Sequence, residues 1–169
     1  MGVIMAIIGI DLGTTNSLAV CYRNEKAEII KNSLGDNYLP SVVSIDDNGE
    51  ILVGRVAKER LISHPNATAA EFKRIMGLRQ TVTLSGRSFS PEELSSLVLR
   101  RIKEDAEAYL GEPVTEAVIS VPAYFDDNCR TAAKLAAKLS GIYVERLVNE
   151  PSAAALAYQA RHGFGDGTY

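Results

Sequence analysis

The stretch Gly9-Ile10-Asp11-Leu12-Gly13-Thr14-Thr15-Asn16 constrains the chain most. It follows Val3 to Ile8, a continuous apolar run with three isoleucines and a valine. Such a run, ended by glycine and polar residues, predicts a strand buried on both faces. Asp11 then stands at the carboxyl end of a central strand. A tight turn follows, in which Gly13 is free to take positive φ and two threonines add hydroxyls. Open α/β sheets bind ligands in the crevice beyond the carboxyl ends of their strands. A carboxylate, a glycine turn and two threonines at that place suit a metal–polyphosphate ligand. An ordinary hairpin with a turn-forming Asp11 is the competing reading.

The next runs extend this framework. Ser17 to Tyr22 and Ala27 to Ile30 flank the polar turn Arg23-Asn24-Glu25-Lys26, which predicts a three-stranded antiparallel meander. Asn32 to Pro40 reads as a polar loop. Ser41 to Ile45 and Ile51 to Gly54 enclose Asp46-Asp47-Asn48-Gly49, a strong hairpin signal. Short helices are expected over Arg55 to Ile62, ending near His64-Pro65, and over Ala69 to Met76, stopped by Gly77. Val82 to Phe89 fits a small hairpin. Ser90-Pro91-Glu92-Glu93 is a capping box with proline at the first helical position, and apolar residues recur at helical spacing from Leu94 to Tyr109 until Gly111 and Pro113.

Ala117 to Val121 predicts a further strand, and Pro122-Ala123-Tyr124-Phe125 a crossover at its carboxyl end. Asp126 or Asp127 caps a helix through about Ser140, with Ala132, Ala133, Leu135, Ala136 and Leu139 on its apolar side. Tyr143 to Val148 is a last strand. Asn149-Glu150-Pro151 opens a last helix over Ala153 to Ala160, and His162 to Tyr169 reads as a glycine-rich turn. The expected fold class is α/β: a meander followed by parallel crossovers, the layout of ribonuclease-H-like and actin-like folds, with a small inserted α+β subdomain. Residues 1–37 and 112–169 form the core subdomain and residues 38–111 the insertion.

Composition excludes several function classes. The net charge of −3 gives no electrostatic reason for nucleic acid or an anionic membrane as partner. Tryptophan is absent, which argues against base-stacking platforms. Cys21 and Cys129 match no metal spacing and read as reduced thiols, and His64 and His162 stand alone. The apolar N-terminus lacks a basic region, Ala6 replaces the Ser or Thr of a myristoylation motif, and no run approaches the roughly 18 residues of a membrane span. A cytoplasmic protein is expected.

Three strand ends converge on one edge, carrying Asp11 with Gly13 to Asn16, then Pro122 and Tyr124, then Asn149 and Glu150. Phosphoryl transfer needs backbone N–H groups around phosphate, magnesium, a neutralising cation and a group that orients water. Gly13-Thr14-Thr15-Asn16 suits the cradle, Asp11 a hydrated magnesium ion, and Glu150 the water. Glu150 also fits a plain first-turn acid on the helix dipole, and Lys73-Arg74 a solvated helix face. The glycine turn is not a P-loop.

With these residues in place, the chain resembles the DnaK-type heat-shock chaperones of the 70 kDa class. Gly9 to Ser17, Phe72-Lys73-Arg74, Val121 to Phe125 and Asn149 to Ala155 carry the resemblance, which runs from about Ile8 to Tyr158. It implies an ATPase, with ATP/ADP and Mg2+ as cofactors, whose nucleotide state controls a separate peptide-binding domain. It implies Thr14 and Thr15 on the phosphates, Asp11 toward hydrated magnesium, Lys73 beside the attacking water and γ-phosphate, and Glu150 in the metal–water network. Pro122 and Arg130 match the interdomain relay, with Pro122 as its switch. The implied partners are unfolded or extended peptide clients and a J-domain co-chaperone.

The short segment between Gly77 and Ser90 resembles the specialised HscC-like branch. The family's second phosphate loop, adenosine pocket and peptide-binding domain come after the position of Tyr169. The chain therefore reads as lobe one of a two-lobed cleft, with the second lobe and the peptide-binding domain absent, and inactive when isolated. Two other classes compete: a sugar or acetate kinase of the actin-like superfamily, and a non-catalytic scaffold. The kinase does not account for Val121 to Phe125 or Asn149 to Ala155, and the joint presence of Asp11, Lys73 and Glu150 argues against the scaffold.

Overall fold

A computed structural model describes residues 6–153. The opening apolar run gives β1 (Ala6–Asp11), followed by β2 (Asn16–Arg23) and β3 (Lys26–Ile30). Asn24 and Glu25, both at positive φ, make the two-residue turn between β2 and β3. Next come β4 (Leu39–Pro40), β5 (Val42–Ile45), β6 (Ile51–Val53) and the helix α1 (Arg55–Ser63). The strand β7 (Thr68–Ala70) leads to a 3-10 turn at Phe72–Ile75, and β8 (Val82–Leu84) and β9 (Arg87–Phe89) form a hairpin. The second half is α2 (Pro91–Leu110), β10 (Val114–Val121), α3 (Asp127–Leu139) and β11 (Tyr143–Asn149). Helical backbone resumes at Glu150 and continues to residue 153, so most of the expected last helix and the glycine-rich His162 to Tyr169 lie outside the described residues.

The main sheet is mixed, in the order β11-β10-β1-β2-β3, with β4 also pairing with the start of β2. β1, β2 and β3 are the expected antiparallel meander, whereas β10 runs parallel to both β1 and β11. Asp11 lies in register with Ser120, and Val121 with Asn149. The carboxyl ends of three parallel strands therefore meet on one edge.

The capping box forms as the sequence predicts: Ser90 Oγ accepts the Glu93 N–H at 3.1 Å and Glu93 Oε2 accepts the Ser90 N–H at 2.7 Å. The amphipathic face of α2 buries Leu94, Val98, Leu99, Ile102 and Ala106. These join Ile8, Ile10, Ala19, Ile119, Ala136 and Ala137 in the principal core.

Three expectations are corrected. First, among the described residues β1 is buried on one face only. Ile8 and Ile10 are 1% and 2% exposed, but Ile7 between them is 52% exposed. Ile8 and Ile10 belong to the principal core together with residues of α2 and α3, whereas Gly9 and Asp11 line an open groove among the described residues. Second, Ala69 to Met76 is not a helix. Thr68, Ala69 and Ala70 pair with Ser44, Val43 and Val42, and Glu71 turns left-handed before the 3-10 segment. A segment this short has little intrinsic helix stability, and pairing with β5 wins. Third, Leu135 and Leu139 on α3 remain 47% and 44% exposed, and the buried face consists of Ala132, Ala133, Ala136 and Ala137. Small residues let α3 approach α2 and the sheet closely. Among the described residues, no helix is long and apolar enough to cross a membrane.

Candidate functional site

The turn from Leu12 to Thr15 joins β1 to β2 at the edge where the parallel strands end. Gly13 does not take the positive φ expected of it; glycine is needed here because a Cβ would collide with the Asn16 carbonyl oxygen. The Gly13 N–H donates to Ser17 Oγ at 3.1 Å, and the Gly13 carbonyl accepts from Ser41 Oγ at 2.8 Å. Thr14 is half-buried and Thr15 and Asn16 are exposed, which leaves their side chains beside solvent. The Thr15 carbonyl accepts the Ser41 N–H at 2.9 Å.

Asp11 is exposed, and its Oδ1 accepts a hydrogen bond from Ser120 Oγ at 2.8 Å. That bond orients the carboxylate, and the exposed side chain offers hard oxygen donors. Among the described residues no three His, Cys, Asp or Glu side chains converge. A divalent cation at Asp11 would thus take most of its ligands from water or a phosphate, which suits magnesium. The donor set and the glycine turn fit a magnesium–polyphosphate group.

Lys73 lies in the 3-10 turn and is 6% exposed. Its Nζ donates to Glu150 Oε1 at 2.9 Å and lies 5.7 Å from the centre of the Phe125 ring. The two partners are 77 residues apart in sequence, so the fold and not the helix pattern brings them together. Asp11 and Glu150 line the same open groove, of about 360 Å³, with Ser120, Val118 and Val148. No hydrogen bond links Thr14, Thr15 or Asn16 to Asp11, Lys73 or Glu150 among the described residues.

Pro122 is buried at the end of β10, and its carbonyl accepts the Phe125 N–H at 3.1 Å. Arg130, on α3, donates to the Phe125 carbonyl at 3.1 Å and to Asn149 Oδ1 at 2.6 Å. Arg130 thus ties the crossover after β10 to the residue preceding Glu150. Asp126 caps α3, and the Cys129 N–H bonded to its carboxylate at 2.9 Å holds that carboxyl below the usual range. Burial, with Asp126 nearby, raises the Cys129 thiol, which donates to the Met76 carbonyl at 3.3 Å. Gly77 packs against the same helix start: a Cβ there would lie 2.9 Å from the Cys129 nitrogen.

Sequence reasoning missed Ser17, Ser41 and Ser120. Ser120 had a signal: it is the one hydroxyl in Ala-Val-Ile-Ser-Val, and the two-residue period puts it on the face of Val118. Ser17 and Ser41 had none, because their link is tertiary.

A protein-family model described as Hsp70 protein matches the chain over residues 7–83 and over residues 79–163.

Proposed function

The chain belongs to the Hsp70 family, whose members are ATPases, and we propose that it forms the first, actin-like lobe of the nucleotide-binding domain of an ATP-hydrolysing chaperone. The observation that carries this reading is the buried Lys73 ammonium, held 2.9 Å from Glu150 beside the groove that Asp11 lines. A buried lysine joined across such a sequence distance to an acid at a strand end is hard to explain as a solvated face. It suits a cation kept ready for a γ-phosphate.

In this reading the backbone from Gly13 to Asn16 cradles phosphate, and Thr14 and Thr15 bind it through their hydroxyls. Asp11, oriented by Ser120, faces a hydrated Mg2+. Glu150 belongs to the water network around that ion, and Lys73 sits beside the attacking water. Magnesium, when bound, supplies neutralisation of the charge on the β- and γ-phosphate oxygens. Pro122 and Arg130 form the relay toward a peptide-binding domain, which the Arg130 bond to Asn149 supports. Residues 1–37 and 112–169 make the core subdomain and residues 38–111 the insertion. The short stretch from Gly77 to Ser90 favours the HscC-like branch. Extended peptide clients, a J-domain co-chaperone and a cytoplasmic location complete the proposal.

Phosphate release from ATP alone, measured on the full-length protein, tests it. Slow turnover is expected in the wild type, and Lys73→Ala abolishes it while ATP binding persists. Unchanged turnover in that variant overturns the assigned role. Silence until an acceptor is added identifies a kinase, and silence throughout a scaffold.

A further inference from the structure

The Gly13 peptide groups are held by two serines from different parts of the chain. Ser17 is the second residue of β2 and is 1% exposed, and Ser41, just before β5, is 2% exposed. Their hydroxyl oxygens are 2.8 Å apart. The direction of each bond follows from proton counting. Ser41 has a single hydroxyl proton, and the Gly13 carbonyl, 2.8 Å away, can only accept it. Ser17 is therefore the donor to Ser41, and its oxygen accepts the Gly13 N–H at 3.1 Å. The result is a closed ring: Gly13 N–H to Ser17, Ser17 to Ser41, Ser41 to Gly13 C=O. Each hydroxyl donates once and accepts once, and water has little access to either.

We propose that Ser17 and Ser41 are positioning residues that set the conformation of the phosphate turn from outside it. The inference rests on the nucleotide reading of Gly13 to Asn16 given above. Hydrogen bonds in a closed ring polarise one another, so loss of one member weakens the others. The ring orients both peptide groups of Gly13, and with them the Thr14 N–H, which shares a peptide plane with the Gly13 carbonyl. A second bond, from the Ser41 N–H to the Thr15 carbonyl at 2.9 Å, holds the far end of the turn to the same residue. Neither hydroxyl is required to touch nucleotide.

The test is ATP hydrolysis by the full-length protein with Ser17→Ala, Ser41→Ala and the double variant. Each single variant is expected to raise KM for ATP about tenfold. The double variant is expected to raise it by about the same factor, where independent contacts would multiply to about a hundredfold. Melting temperature and far-UV circular dichroism follow folding separately, because a merely structural serine lowers melting without changing KM of the folded protein. Where Ser41→Ala does not fold, Ser41→Cys takes its place, and the weaker thiol donor moves KM in the same direction by a smaller factor. Unchanged KM in the folded single variants, or a multiplicative double variant, refutes the ring. A wild type that neither binds nor hydrolyses ATP refutes the nucleotide reading instead, and this role with it.

Discussion

Glu150→Gln removes the negative charge opposite Lys73 with little change in shape. The Lys73 side chain is 7% exposed and that of Glu150 is 40% exposed, so the two partners are unequally placed to recover water. Removing one partner of a fully buried pair costs about 3–5 kcal/mol, because the remaining charge stays desolvated. Here water reaches the pair from the glutamate side, and the glutamine keeps an oxygen acceptor, which together reduce the cost to about 2 kcal/mol. For a chain of this size each kcal/mol moves Tm by about 2–4 °C, so a fall of about 4–8 °C is expected. Lys73→Met behaves differently. It deletes the buried charge, keeps an apolar stem, and leaves Glu150 able to hydrate, so it costs under about 1 kcal/mol. The double variant then resembles Lys73→Met alone, with a coupling of about 1–2 kcal/mol. Urea unfolding of all four proteins, with m-values compared, measures the cycle. A Glu150→Gln variant as stable as the wild type, or no less stable than Lys73→Met, refutes the claim that the ammonium depends on this carboxylate.

Gly77 holds a left-handed conformation at φ +78° against the start of α3. Gly77→Ala is expected to cost at least about 1–2 kcal/mol in urea unfolding, with the backbone contact adding to the conformational penalty. Ser95 Oγ on α2 is buried with no hydrogen-bond partner among the described residues, so Ser95→Ala is expected to be neutral or stabilising by up to about 1 kcal/mol in thermal unfolding. The Asp126 carboxyl lies below its usual value in the folded state because it accepts the Cys129 N–H. Its contribution is therefore present above the unfolded value of about 3.9 and is lost as pH falls through the folded one. The destabilisation of Asp126→Ala, measured by urea unfolding, is expected to be largest near neutral pH and to shrink under acid.

The elements legible in the sequence were those whose chemistry is local. The capping box at Ser90 and Glu93 closes within four residues, and the turn at Asn24-Glu25 is a short polar break between two apolar runs. The convergence of Asp11, Pro122 and Asn149 on one edge was legible because parallel strands joined by crossovers bring their carboxyl ends together. The Lys73 segment was not, because its conformation is set by a β5 edge that no local pattern announces. One-sided burial of β1 escaped for a related reason: an unbroken apolar run records how hydrophobic a strand is, not which face other elements cover. The candidate site was legible as residue types, while the Lys73–Glu150 pairing and the serine ring needed the tertiary fold.

Those two links have a common geometry and unequal strengths. Ser41 and Lys73 both belong to the stretch proposed as the insertion, and both reach back to the proposed core, one to Gly13 and the other to Glu150. The ring is neutral, every hydroxyl in it is satisfied, and no solvent stands by to replace a lost partner. The charged link has such a replacement, since Glu150 is 40% exposed. A displacement of the insertion is thus expected to part Lys73 from Glu150 before it opens the ring at Gly13. Under that order of events the phosphate turn keeps its shape while the lysine moves. Amide exchange resolved at Gly13 would then stay slow in Glu150→Gln and quicken in Ser17→Ala, and equal protection in the two variants would contradict the ranking.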